Sequence, residues 1–401
     1  MVRRQDNNTR TEFPLTRWSL SPVILGLVVG ALAGPVGLRL LEPHIPEDTG
    51  LIESVSQVAL LLSLFCVGLR LRVPFEWRAW RMSVRLCTVT LLATALLAGA
   101  LAHVLFDFGL IEALLLGIVL APTDAVLASD IHVPAEGELD SPPVALAAEG
   151  AMTSGLAAPL VALTLAFIGV GEGEATSGTP VWPVLELLWS LVGGVASGWL
   201  IGAGMSRWIR MLDTDRHGDF LEEMIVFATA ALAYTCALAL RTEGLLAVFA
   251  AGLALSHGGR IRRSVRRYSL GPRVLKLAGR VERLAVVVVM VLLGALVAGV
   301  EFHIRRVLFA LALLVLLRPL AVRLGLGGLS MPPSQRRTLE WFGARGAASL
   351  YCLALAINHG LSSPLARELA AITLVFIVTS IVFSAVSALS LRRASPGAVD
   401  L

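Results

Sequence analysis

The chain has 401 residues, of which 56% are hydrophobic and only 15% charged, with a formal net charge of +4 and a mean hydropathy of +0.79. Soluble domains carry about 45–50% apolar and about 25% charged residues, so both departures point to lipid as the solvent. They exclude a disordered chain, a collagen, a coiled coil and a nucleic-acid binder, and the basic excess reads as a topology signal instead.

The first twenty residues are polar and basic, with no cleavable signal. Apolar runs of spanning length follow at about 22–42, 50–70, 80–105, 109–129, 143–170 and 182–205. A second set lies at about 220–240, 243–257, 283–300, 302–323, 338–358 and 365–391, giving about twelve transmembrane helices in an all-α polytopic membrane protein. Arginines alternate between loops: Arg70, Arg72, Arg78, Arg81 and Arg85 in one, Arg207, Arg210 and Arg216 in a later one, then Arg260 to Arg280, and Arg392 and Arg393 in the tail. The positive-inside rule places both termini in the cytoplasm. Two loops depart from it: 131–141 is acidic where a basic loop is expected, and the external loop near Glu301 carries Arg305 and Arg306. The basic 258–283 segment is either a solvated loop or an interfacial helix on anionic lipid.

The expected organisation is a tail (1–20), one membrane domain (21–392) and a short tail (393–401). Within the domain a first half at about 21–170 and a second at about 219–392 flank a linker helix at about 182–205. Cys66, Cys87, Cys236 and Cys352 lie inside apolar runs without metal or disulfide spacing and read as small hydrophobes.

In hydrocarbon, ionisable groups and helix breakers are the informative residues, because an unsatisfied charge or peptide group there is expensive. Pro122 in Ala121-Pro122-Thr123-Asp124 removes a backbone donor and predicts a break in the fourth segment. The freed carbonyls, the Thr123 hydroxyl and the Asp124 carboxylate suit a hard monovalent cation, and Asp124 also suits a helix N-terminus. Glu149 and Thr153 share a helix face, beside Ser154, and Glu149 needs a cationic partner. Arg318, ahead of Pro319, is the most embedded arginine; the alternative is that it snorkels to the surface. Arg345, between Gly343 and Gly346, predicts a second local unwinding, its charge offsetting the ends of interrupted helices; the alternative is a juxtamembrane arginine. Two broken segments in corresponding halves form the inverted-repeat pattern of secondary transporters.

At these residues the chain resembles the NhaP-type branch of the monovalent cation/proton antiporters, the sodium/hydrogen exchanger domain family. The matches are APTDAV at 121–126, LRP at 317–319, WFGARG at 341–346 and the glycine-flanked run at 243–257, and the resemblance extends over about 20–392. It implies inverted repeats with two crossed, interrupted helices, a homodimer in the bacterial inner membrane, and exchange of Na⁺ or K⁺ for H⁺ by alternating access. It implies no cofactor beyond the transported ions, no nucleic acid, and no enzyme. Thr123, Asp124, Thr153 and Ser154 then belong to the ion and proton site, Glu149 and Arg318 form a structural ion pair, and Arg345 supports the second interrupted helix.

Three departures stand out. Where relatives follow the glutamate with Asn-Asp-Gly, this chain reads Thr153-Ser154-Gly155, so the usual transport carboxylate is a hydroxyl. The second segment reads Ser56-Gln57-Val58 where relatives often have an acidic residue, and the family's first helix has no counterpart. A serine can ligate a dehydrated cation but does not titrate in the physiological range, which leaves Asp124 as the surviving carboxylate. The alternative is a transport-inactive or uncoupled paralogue that binds or regulates. No HExxH, GxSxG or nucleotide-binding glycine loop supports a membrane enzyme or an ATP-driven pump.

Overall fold

The computed structural model describes residues 21–71, 76–124, 142–169, 181–211, 214–257, 272–329 and 331–394, and among them all regular structure is helical. The acidic loop at 131–141 and the greater part of the basic segment, 258–271, lie outside the described residues.

Helix α1 (Ser21–Ala33) stops well short of the apolar run that contains it. Gly34 and Pro35 follow it, and the chain turns back with Leu38 and Leu40 donating to Leu32 and Ala33. After α2 (Thr49–Arg70), the third run is made of α3 (Trp77–Arg85), a π-helical turn at Leu86–Thr90 and α4 (Leu91–Phe106). Helix α5 (Leu110–Leu120) ends just before Ala121 and Pro122, and α6 (Pro142–Ile168) and α7 (Val181–Met211) follow. Then come α8 (Thr214–Ala239), α9 (Gly244–His257) and α10 (Pro272–Ala298).

Helix α10 begins well before the apolar run at 283, inside the basic segment. The cause is a partner on another helix: Arg70 of α2 donates to Glu282 of α10 at 2.6 Å, with Glu282 only 2% exposed. The tenth run comprises α11 (Ile304–Ala312), a second π-helical turn at Leu313–Leu317 and α12 (Arg318–Gly325). The anomalous arginines open this run, and Arg306 is held there by both carboxylate oxygens of Glu368 and the Glu301 carbonyl. Helices α13 (Pro333–Trp341) and α14 (Ala347–Asn358) are separated by the non-helical stretch 342–346, and α15 (Ser363–Ala394) closes the fold. Among the described residues, eight helical stretches are long and apolar enough to cross a membrane, and α1, α5, α9 and α14 are shorter apolar helices.

These helices pack in two groups. In one, α1 lies on α10, α2 on α9 and α10, and α7 on α8 and α9; in the other, α5 lies on α4 and α6, and α15 on α11 and α14. Helix α2 reaches across to α14 and so joins the groups. The tightest seam is α7 against α9, where Gly194, Gly198 and Gly202, one turn apart, face the backbone of Glu243, Ala247 and Ala251. A Cβ at Gly198 would overlap the Ala247 carbonyl oxygen, whereas Gly204 on the same helix has open space around it. Small residues at this spacing let backbones touch where lipid supplies no hydrophobic drive.

Gly198→Val is therefore expected to cost about 1–3 kcal/mol or more through overpacking, and Gly204→Val close to nothing. Thermal unfolding of the two variants in detergent, compared with the wild type, checks the contrast.

Candidate functional site

The two non-helical stretches meet. Leaving α5, residues 121–124 place Asp124 so that its backbone N–H donates to the Ala344 carbonyl at 2.9 Å. The Asp124 carboxylate then accepts from the N–H of Ala347, the first residue of α14, at 3.1 Å. A carboxylate at a helix N-terminus is stabilised by the unpaired amides and the positive end of the dipole. It caps a helix far away in the chain, and Gly346 makes that approach possible, because a Cβ there would collide with Oδ2 of Asp124. Asp124 is 3% exposed and Thr123 also 3%.

Helix α6 adds hydroxyls to the same place. The Thr123 N–H donates to Oγ1 of Thr153 at 3.3 Å, and the two threonine hydroxyls lie 3.2 Å apart. Ser154 donates to the Gly150 carbonyl at 2.7 Å and faces the Thr123 carbonyl at 3.4 Å. Thr123, Asp124, Thr153 and Ser154 thus come together as a buried cluster with one carboxylate, three hydroxyls and the Thr123 and Gly150 carbonyls, oxygen atoms of the type a hard cation takes.

One turn before Thr153, Glu149 meets Arg318 from the start of α12, with Nη1 to Oε1 at 3.2 Å and both side chains 2% exposed. Arg318 also donates to the Phe342 carbonyl at 3.0 Å, so it satisfies the end of α13 and does not snorkel outward. Gly343 leaves the room its guanidinium fills. Arg345 is fully buried; its N–H donates to Oγ of Ser380 on α15 at 3.0 Å, and its guanidinium nitrogens have no hydrogen-bond partner among the described residues. Arg318 and Glu149 are near enough to act on it electrostatically, one repelling and one attracting. Two carboxylates and two guanidiniums make the cluster neutral overall when Asp124 is ionised.

The sequence reading missed the Ala344 carbonyl, the Ala347 amide and Ser380. The spacing of glycines around Arg345 carried a signal for the first two, since unwound backbone must find polar partners. Nothing in the sequence singles out Ser380 among the serines of its helix.

The described helices are those of a multi-pass membrane protein, built around a buried charged junction between two non-helical stretches. The chain belongs to the sodium/hydrogen exchanger family, whose transmembrane profile matches residues 10–389. It is similar to the K⁺/H⁺ antiporter NhaP of Alkalimonas amylolytica, 27% identical over 82% of this chain and 55% of that protein. It is also similar to the K⁺/H⁺ antiporter NhaP2 of Shewanella sp. (strain MR-4), 24% identical over 86% of this chain and 58% of that protein. The chain therefore spans little more than half the length of these curated relatives. Two solved structures of the sodium proton antiporter MjNhaP1 from Methanocaldococcus jannaschii share its fold. One, at pH 8, has a TM-score of 0.70 with 20% identity over 90% of this chain and 92% of that one. An electron-microscopy structure gives 0.72 with 20% identity over 94% and 90%.

Removing one partner of a buried ion pair strands the other charge. Glu149→Gln is expected to destabilise the protein by about 3–5 kcal/mol, and the double replacement Glu149→Leu with Arg318→Met to recover most of that loss. Thermal unfolding in detergent measures both.

Proposed function

We propose that this chain is a secondary transporter that exchanges a monovalent cation, Na⁺ or K⁺, for H⁺ by alternating access, with Asp124 as the carboxylate that carries either ion. The observation that carries the reading is the burial of Asp124 at the junction of the two non-helical stretches, amid the oxygens of Thr123, Thr153 and Ser154. A proton and a monovalent cation each add one positive charge to the same carboxylate, so they compete, and one for one is the exchange the charge count favours. Raising the pH removes the proton and increases cation occupancy; lowering it does the reverse.

Ser154 supplies a neutral oxygen in place of a second carboxylate, so the site holds a single titrating group among the residues gathered there. Glu149 and Arg318 act as a structural pair that fixes α6 against α12, and Arg345 offsets the charge of Asp124 while its peptide group is anchored on Ser380. The two breaks form the crossed, interrupted helices of an inverted-repeat fold, with the first half at about 21–170, the linker helix at 182–205 and the second half at about 219–392. The arrangement belongs to a homodimer in a bacterial inner membrane with both termini cytoplasmic, the orientation favoured by the arginine-rich loops. The names of the relatives, two K⁺/H⁺ antiporters and one sodium proton antiporter, support exchange and leave Na⁺ and K⁺ as the two cations to test.

Reconstituted in vesicles, the wild type is expected to move protons when Na⁺ or K⁺ is added, and Asp124→Asn to abolish the response. Ser154→Ala should retain exchange with a raised KM for the cation, as expected for the loss of one neutral oxygen ligand. A wild type that stays silent while Ser154→Asp exchanges would overturn the proposal in favour of a transport-inactive relative.

A further inference from the structure

Helix α10 carries one long unbranched side chain in an otherwise uniform apolar run: from Leu284 to Ala298 every residue is Leu, Ala, Val or Gly except Met290. Met290 is fully buried. Its stem is fixed by α1, where a Cβ on Gly26 would come to 3.0 Å from the Met290 Cβ and 3.2 Å from the Val287 carbonyl oxygen. One and two turns on, Gly30 and Gly34 bring α1 just as close to Val291 and Ala295, so α10 has no room to shift towards α1.

The other end of the side chain reaches the start of α14. Met290 Cε lies 3.4 Å from where a Cβ on Gly346 would sit, and Oδ2 of Asp124 is in contact with that same point. Beyond the chain neighbours of Gly346, the atoms nearest to the point are those of Asp124 and Met290. The methyl and the carboxylate are therefore neighbours at the gap that Gly346 leaves, with the carboxylate held there by the Ala347 N–H. The other side chains of the α10 run lack this reach, since valine branches at Cβ and leucine ends at Cδ. A methyl group offers an ion no lone pair, so the oxygens of the site come from the 121–124 stretch and α6 while α10 contributes hydrocarbon.

We propose that Met290 is the apolar wall of the Asp124 site and a determinant of which cation that site takes. The wall rests on the exchange reading above for the ion, and on the gap at Gly346 for its place. Hydrocarbon beside the carboxylate keeps water from that side, so an arriving ion has to leave part of its hydration shell behind. The smaller ion holds its water more tightly, and the wall therefore acts against Na⁺ and in favour of K⁺. Shortening the side chain opens space beside a charged oxygen, which water fills where an all-apolar cavity would stay dry.

The test measures cation binding apart from transport, as the rise in melting temperature of the purified protein with added Na⁺ or K⁺, choline serving as the ionic-strength control. In Met290→Ala the Na⁺ midpoint, relative to that for K⁺, is expected to fall about tenfold, the size of effect a methylene or two has in a specificity pocket. Met290→Leu conserves volume and hydrocarbon character and should keep the wild-type ratio. Met290→Val removes less and should move the ratio the same way, which covers an alanine variant that does not fold. Loss of packing alone lowers the melting temperature without moving the ratio. A ratio unmoved in the shortened variants, shifted towards K⁺, or shifted equally in Met290→Leu would overturn the wall, as would a wild type that responds to neither cation. Proton movement in vesicles is then followed for the same variants. A ratio that shifts as expected in a protein that does not exchange keeps the wall and removes the exchange reading, while exchange with an unmoved ratio does the opposite.

Discussion

Unwound backbone inside a membrane protein has to find its own hydrogen-bond partners, because hydrocarbon offers none. Here two such stretches are set against each other, and the Asp124–Ala344 backbone contact and the Asp124–Ala347 carboxylate contact satisfy both at once. The remaining charges follow from that placement. A buried carboxylate needs positive surroundings, which the α14 N-terminus provides through the Ala347 amide. Arg318 in turn spends its donors on the loose end of α13 and on Glu149. Gly343 and Gly346 are the residues whose missing side chains allow this closeness.

The sequence reveals those parts of the fold whose cause is local. The proline in Ala121-Pro122-Thr123 predicts a break, and α5 does end at Leu120, whereas Pro159 is carried inside the continuous helix α6. An arginine between glycines is a poor helix interior, and the stretch 342–346 is non-helical. The apolar periodicity places the helices α2, α6, α9 and α15 to within a few residues. Where the cause is tertiary, the reading falls short. The first helix is shorter than its apolar run because the chain turns back at Pro35, and α10 is longer because Arg70, from another helix, makes Glu282 tolerable in the interior. The π-helical turns at Leu86–Thr90 and Leu313–Leu317 have no composition cue at all.

The site divides in the same way. Carboxylate, hydroxyls and arginines were legible as residue types out of place in lipid, and Glu149 could be assigned a cationic partner because a buried charge demands one. The partner of the Asp124 carboxylate is a backbone amide, which every residue possesses and no sequence pattern marks. The anomalous pair Arg305 and Arg306 shows the limit of counting charges by loop: Arg306 is committed to Glu368 and tells nothing about topology.

The glycines of α7 have a mechanical consequence. A joint of backbone against backbone, as between α7 and α9, has few rotamers to reset, and the Glu243 N–H donating to the Ser190 carbonyl at 3.1 Å ties its end, so sliding one helix past the other would require the chain itself to give way. The joint between α2 and α14 is built from side-chain tips, each able to trade one partner for the next. Helix α2, packed on α9 at one side and hydrogen-bonded to α14 at the other, is shared by two joints of opposite construction.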